Sequence, residues 1–136
     1  NMKTEHELGQ YFTTNDHLKN KVLELIMNQP DVILEPSVGR GDLIQYIYHN
    51  NNKIQFDMYE IDDNIKMLDD IPKNVIYADF MQVDIEKKYK TIIGNPPFVR
   101  TKIGNLYIDF IKKCVIIVLR KSAPFWFQRA EKLFIP

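Results

Sequence analysis

The sequence predicts an α/β fold, a doubly wound and mostly parallel sheet of about four to five strands with helices on both faces. Short apolar runs alternate along the chain with patterns that repeat at helical spacing. Polar, glycine or proline residues follow each apolar run. This alternation of strand and helix in a compact chain is typical of a parallel sheet, whose ligands bind at the carboxyl ends of the strands.

Four apolar runs predict the strands of this sheet. Each is short, rich in isoleucine, valine or aromatic residues, and bounded by turn residues, as expected for buried strands. They are residues 32–34, 54–61, 75–78 and 91–93. A fifth strand is predicted to begin at residue 133 and to continue toward Pro136.

The helices are predicted from caps and apolar periodicity. Asp16 can cap a helix that runs to about Asn28 and is ended by Pro30. A second helix opens at Asp42, a short polar helix covers residues 63–68, and another covers 106–113. Residues 114–119 carry too many β-branched side chains for a comfortable helix end, so the helix is expected to stop before them.

Composition excludes several classes of protein. The 136 residues fit one domain or a fragment, and 18 basic residues balance 18 acidic ones. Zero net charge does not indicate a strongly electrostatic polyanion binder, although a local basic patch is allowed. The single cysteine, Cys114, excludes an internal disulfide and a multi-cysteine zinc site. His6, His17 and His49 have no ligand spacing, and no apolar run reaches membrane length, so neither a metal nor a membrane partner is expected.

The segment after the first predicted strand runs from Glu35 through Pro36 to Gly39 and Gly41. Two glycines let the backbone approach a ligand closely, although an ordinary tight turn would have the same pattern. The dinucleotide fingerprint needs a third small residue where Ile44 stands, which disfavours a nicotinamide enzyme. A carboxylate beside a glycine turn suits a ligand with an ammonium group better than one with a pyrophosphate.

Two further strands also end in acids. Glu60 closes the second strand 19 residues after Gly41, near the spacing at which an acid binds a ribose diol in doubly wound folds. Asp79 and Phe80 follow the third strand and together offer an acceptor and a ring face, which an adenine ring requires. Taken alone, Asp79 is better explained as a turn residue or a helix cap.

Asn95, Pro96, Pro97 and Phe98 form the most specific signal. The prolines stiffen the backbone, so the Asn95 amide oxygen and the Pro96 carbonyl can point at one amino group. Hydrogen bonds from that amine to two fixed acceptors favour its nucleophilic, more tetrahedral form. Phe98 supplies a flat face beside it. An ordinary proline-rich turn is the alternative.

Together these segments resemble the S-adenosylmethionine-dependent N6-adenine DNA methyltransferases in their gamma-type motif order. The resemblance covers about residues 8–113 and includes residues 9–13, which are similar to the N-terminal cofactor motif. It implies that Asn95, Pro96, Pro97 and Phe98 hold the target adenine, which must leave the DNA helix. It also implies a set of cofactor-binding residues: Tyr11, Thr13, Glu35, Pro36, Gly39, Gly41, Glu60, Ile61, Asp79 and Phe80.

The resemblance makes the chain a single partial catalytic domain, apparently truncated at its C-terminus. Residues 1–30 would carry the N-terminal motif and a helix, residues 31–113 the cofactor-binding and catalytic core, and residues 114–136 an atypical tail. The fourth strand is then expected to be an open edge that a complementing chain or domain could complete. A soluble, intracellular enzyme is expected. A protein-glutamine or RNA amino-methyltransferase and a non-catalytic remnant stay open as alternatives.

Overall fold

A computed structural model describes residues 14–26, 29–96, 100–101, 104–119 and 132–134. Five of its strands form one parallel sheet. These strands are β1 (Val32–Glu35), β2 (Gln55–Glu60), β3 (Val75–Tyr77), β4 (Thr91–Ile93) and β7 (Lys132–Phe134). The order across the sheet is β3-β2-β1-β4-β7. The chain therefore moves outward from β1 to β3 and then returns to the other side of β1, which places the switch in strand order between β1 and β4.

Three helices and a small hairpin complete the described structure. The helices are α1 (Asp16–Leu25), α2 (Asp42–Asn50) and α3 (Leu106–Leu119). The hairpin pairs β5 (Arg100–Thr101) with β6 (Gly104–Asn105) in antiparallel register and leads directly into α3. Asn15, and not Asp16, caps α1: its side chain accepts a hydrogen bond from the Leu18 N–H at 3.0 Å.

Two apolar clusters lie on opposite faces of the sheet, as the doubly wound prediction requires. Successive strand residues alternate between them, because side chains point to opposite faces along a strand. Ile33 and Met58 pack with Ile44 of α2 in one cluster. Leu34 and Tyr59 belong to the other cluster, together with the α3 residues Phe110, Cys114, Ile117 and Val118. The predicted fold class is confirmed, with helices on both faces of the parallel sheet.

Besides the cap of α1, three further expectations about individual elements were wrong. Residues 63–68 form turns and irregular backbone and not a helix. Helix α3 continues to Leu119, because burial of Ile117 and Val118 against the sheet outweighs the weak helix propensity of β-branched residues. Strand β4 is not an open edge: all three of its residues pair with β7, which is the strand predicted from residue 133.

Residues 62–71 pack over the N-terminal end of α2. The Leu68 N–H donates to the carbonyl of Arg40 at 2.9 Å, and Ile71 is buried. A Cβ added to Gly41 would lie 2.4 Å from the Ile71 Cδ1 and 3.1 Å from the Met67 Cε. Gly41 also has a φ of +90°, so glycine is required at this position for two independent reasons.

Candidate functional site

Polar residues from three strands meet at one edge of the sheet. Glu35 is the last residue of β1 and Glu60 the last residue of β2, while Asn95 follows β4 by two positions. The strands of the five-stranded sheet are parallel, so their carboxyl ends lie at the same edge, on both sides of the switch point between β1 and β4. The sequence prediction placed its candidate site at these strand ends.

Glu35 is a buried carboxylate, 2% exposed. Its Oε1 accepts the Ser37 N–H at 2.7 Å. Burial raises the pKa of Glu35 to about 8, the Ser37 N–H opposes that rise, and the negative charge of Glu60 adds to it. No lysine or arginine among the described residues forms an ion pair with Glu35. A buried acid without a cationic partner is a natural site for the positive charge of a ligand.

Ser37 joins the end of β1 to the segment after β4. Its hydroxyl donates to the Asn95 carbonyl at 3.1 Å and lies 3.5 Å from the Glu35 Oε1. Gly94 makes this approach possible, because a Cβ there would lie 2.7 Å from the same Oε1 and 3.4 Å from the Pro36 Cδ. Glu35 and the Asn95 segment are therefore connected through Ser37.

The glycine turn between β1 and α2 is fixed by Glu60. Gly39 has a φ of +59°, and its N–H donates to the Glu60 Oε1 at 2.8 Å. The other carboxylate oxygen, Oε2, accepts the Asp62 N–H at 2.9 Å. Burial raises the pKa of Glu60, and these backbone donors oppose the rise. Glu60 thus connects the loop after β1 to the loop after β2. The sequence predicted Glu60 as a ligand of the ribose and did not predict this structural role.

Ile61, the next residue, is 53% exposed beside this carboxylate. An exposed isoleucine at the end of a buried strand offers an apolar surface to a flat ring. This placement is compatible with the packing role that the resemblance implies for it.

Asp79 and Phe80 are placed differently from each other. Asp79 is partly exposed, and its Oδ1 accepts the Met81 N–H at 2.9 Å, which closes a tight turn after β3. Phe80 is 1% exposed and packs between Tyr59 and Phe110, with ring centroids 5.8 and 5.4 Å away. In this structure the ring of Phe80 is therefore a core side chain, and its faces are not open for the stacking that was expected.

The expected catalytic residues are only partly described. Pro96 is buried and Asn95 partly so, both directly beyond β4. Pro97 and Phe98 lie outside the described residues, as do Tyr11 and Thr13. Sequence reasoning missed Ser37, Gly94 and Lys113, because each depends on a contact that is distant in the sequence. The contacts are with the Asn95 carbonyl for Ser37, with the Glu35 carboxylate for Gly94, and with the carbonyls of Phe80 and Val83 for Lys113. The only available signal was the position of Ser37 inside the glycine loop and of Gly94 directly before Asn95.

A separate groove of about 470 Å³ lies against β2 and β3, away from these strand ends. Asp57 and Lys87 form an ion pair at 2.8 Å in it, and Tyr89 donates to the same Asp57 carboxylate.

Within the described part of the chain, no group of three or more His, Cys, Asp or Glu side chains could hold a metal ion. No described helix is long and apolar enough to cross a membrane.

Proteins similar in sequence to this chain are found among the Type II methyltransferases. The chain is 33% identical over 118 residues to the Type II methyltransferase M.CvrRI of Paramecium bursaria Chlorella virus XZ-6E. It is 37% identical over 99 residues to the Type II methyltransferase M.HincII of Haemophilus influenzae. The chain is homologous to the Type II methyltransferases. No protein-family model matches it.

The fold of this methyltransferase homologue is similar to that of a solved structure. A crystal structure from Listeria monocytogenes, described as a class I S-adenosylmethionine-dependent methyltransferase, superposes with a TM-score of 0.58. The match covers 86% of this chain and 45% of that one, at 12% identity. The resemblance to DNA methyltransferases and the Rossmann-like fold are both confirmed.

The matched segments are a limited part of the relatives. They cover 82% of this chain but 30% of M.CvrRI, and 70% of this chain but 18% of M.HincII. The chain thus spans less than a third of the length of these curated relatives. The matched portion includes most of the described sheet.

Proposed function

We propose that the chain is the cofactor-binding and catalytic part of a methyltransferase that transfers a methyl group from S-adenosylmethionine to the exocyclic N6 of adenine in DNA. The homology to Type II methyltransferases and the class I methyltransferase fold support the reaction class and the cofactor. The adenine target rests on the sequence of residues 95–98 and on the resemblance that it carries. A DNA substrate would place the protein inside the cell.

One observation carries this proposal: the buried Glu35 carboxylate lies against the segment that contains Asn95. The pKa of Glu35 is raised to about 8 by burial, and no described lysine or arginine forms an ion pair with it. The ammonium group of the methionine part of the cofactor would favour the ionised form of Glu35 and would pair with its charge. Ser37 links the same carboxylate to the Asn95 carbonyl, so a cofactor held by Glu35 would lie beside the proposed amine site.

The remaining site residues receive roles from their placement. Gly39 and Gly41 would let the cofactor approach the turn that follows β1, with Pro36 stiffening its start. Glu60 orients that turn, and its carboxylate oxygens retain acceptor capacity for ribose hydroxyls. Asp79 would accept a hydrogen bond from the cofactor's adenine amine, and Ile61 would pack on the ring. Tyr11 and Thr13 are proposed near the methionine part from the resemblance alone.

The proposed chemistry needs a positioned amine and a positioned methyl donor. When bound, the cofactor supplies an electrophilic methyl group on a sulfonium centre. The Asn95 side-chain oxygen and the Pro96 carbonyl would accept hydrogen bonds from the target amine and stabilise the positive charge that develops on it. Phe98 would stack on the target base. Proximity then contributes most of the remaining acceleration.

Two other functions were considered from the sequence. A protein-glutamine or RNA amino-methyltransferase would use the same Asn95 segment on a different substrate. The non-catalytic remnant was inferred from an incomplete sheet and from an aromatic tail. The aromatic residues 125–127 of that tail lie outside the described residues, whereas the pairing of β4 with β7 weakens the argument from the sheet. A complementing chain or domain is therefore no longer required to cover that edge of β4.

The test separates binding from catalysis. The purified chain is titrated calorimetrically with S-adenosylhomocysteine and assayed with radiolabelled S-adenosylmethionine on DNA, RNA and protein. We expect binding, label transfer to DNA, and N6-methyladenine in the digested product. Asn95→Ala should bind the cofactor product normally but lose transfer, whereas Asp79→Ala should weaken binding. A folded chain that does not bind S-adenosylhomocysteine would contradict the cofactor assignment, and label on RNA or protein alone would contradict the DNA assignment.

A further inference from the structure

Lys113 connects helix α3 to the turn that follows β3. It lies in the third turn of α3, and its Nζ donates hydrogen bonds to the carbonyls of both Phe80 and Val83. The same Nζ lies 4.6 Å from the centroid of the Phe80 ring. One ammonium group therefore meets two backbone acceptors and an aromatic face, which together satisfy a partly buried positive charge.

The turn that Lys113 holds is also fixed at its start. The Ala78 N–H donates to the Glu60 carbonyl at 2.9 Å, and the Gln82 N–H donates to the Asp79 carbonyl at 2.9 Å. Between these bonds, the Asp79 Oδ1 accepts the Met81 N–H. The Asp79 Oδ2 has no hydrogen-bond partner within the described residues. The turn thus leaves one carboxylate oxygen of Asp79 available to a ligand, while three hydrogen bonds hold the backbone around it.

The far end of the turn depends on Lys113 and on burial of Phe80. Phe80 packs between Tyr59 and Phe110 and cannot itself form hydrogen bonds through its side chain. Without the ammonium, the carbonyls of Phe80 and Val83 would lose their charged donor and the turn would reorganise to find another. Such a change would rotate Asp79, because it is the residue that opens the turn.

We propose that Lys113 is a positioning residue that orients Asp79 for recognition of the exocyclic amine of the cofactor's adenine. This inference rests on the proposed function, because it assumes that the cofactor binds at these strand ends. Helix α3 directly follows the hairpin β5–β6, which comes a few residues after the proposed catalytic segment. Lys113 therefore connects the turn after β3, which would bind the adenine, to this part of the chain.

The test compares two ligands that differ only at the purine. Calorimetric dissociation constants are measured for S-adenosylhomocysteine and for S-inosylhomocysteine, in which a carbonyl replaces the amine. We expect the wild-type chain to prefer the adenine ligand by about tenfold or more, the size of one hydrogen bond to a charged acceptor. Lys113→Met should reduce this ratio toward one, and Lys113→Arg should restore part of it. The control is Lys112→Met, because Lys112 is the exposed neighbour on the same helix.

The ratio separates positioning from stability. Partial unfolding of a variant weakens both ligands by the same factor, so the ratio is unchanged by it. A wild-type ratio retained in Lys113→Met would overturn this inference and leave the proposed function intact. A folded wild-type chain that binds neither ligand would overturn both. If Lys113→Met does not fold, Lys113→Gln, which keeps one amide donor, is used for the same comparison.

Discussion

Replacement of Glu35 by glutamine is expected to stabilise the ligand-free protein while it removes cofactor binding. The carboxyl is 2% exposed, and burial raises its pKa from 4.5 to about 8. Between those values the folded state holds a proton that the unfolded state has released. The free energy of unfolding therefore falls as the pH rises from about 4.5 to about 8, and the full stability is present only below that window.

The magnitude follows from the size of the pKa shift. One pKa unit corresponds to about 1.4 kcal/mol, so the shift of Glu35 costs the folded state roughly 3 kcal/mol at pH 7 and nearly 5 kcal/mol above pH 9. At pH 5 the cost is below roughly 1 kcal/mol. The glutamine in Glu35→Gln keeps an acceptor for the Ser37 N–H but has no charge to desolvate. Its advantage over the wild type should grow with pH.

Urea unfolding at several pH values from 5 to 9 measures this difference directly. Glu86→Gln is the control, because Glu86 is an exposed glutamate, and it should show no such growth. S-adenosylhomocysteine binding is measured in parallel and should be lost only in Glu35→Gln. A stability difference that stays constant with pH would refute the reasoning about burial. A glutamine variant that binds normally would refute the role of Glu35 toward the ammonium group.

Three further predictions concern the same strand ends. Binding of S-adenosylhomocysteine should release close to one proton near pH 7, because its ammonium group favours the ionised form of Glu35. Calorimetric titrations in buffers of different ionisation enthalpy measure the number of protons released. A binding enthalpy that does not depend on the buffer would contradict the prediction. Gly94→Ala places a Cβ 2.7 Å from the Glu35 Oε1, so it should weaken the binding of S-adenosylhomocysteine at least tenfold. A calorimetric dissociation constant equal to that of the wild type would contradict this prediction. Gly41→Ala should lower the free energy of unfolding by about 1–3 kcal/mol, because the φ of Gly41 is +90° and Ile71 fills the space for a Cβ. Urea unfolding measures this difference. A variant as stable as the wild type would show that residues 62–71 can move aside.

The strand ends could be predicted from the sequence because each is a local signal. Glu35 and Glu60 each follow a run of apolar residues, and the alternation of side chains within those runs sets which face each residue takes. The position of Asn95 beyond β4 follows in the same way. These residues come together because parallel strands share one carboxyl edge, which the order of elements already implies.

The errors arose where distant contacts decide the local structure. Phe80 follows Asp79 in a pattern that suits adenine binding, but its ring is taken up by Tyr59 and Phe110. Residues 63–68 have a helical composition, yet the Leu68 N–H bonds to Arg40 and not to its own turn. The length of α3 depends on the burial of its β-branched residues against the sheet. Intrinsic helix propensity does not include this tertiary contact.

The packing of residues 62–71 over the start of α2 has a consequence for selectivity among metabolites. Helix N-termini commonly hold phosphate groups, but here Ile71 and Met67 lie where a ligand would approach Gly41. The buried Asp42 in the first turn forms an ion pair with Arg40 at 3.0 Å, so these two side chains together bring no net positive charge that would attract a phosphate. Adenosine phosphates share adenine and ribose with S-adenosylmethionine, so the proposed cofactor site would have to distinguish between these two kinds of ligand. The covering apolar side chains would reject their phosphates, while Glu35 would favour a cationic amino-acid tail.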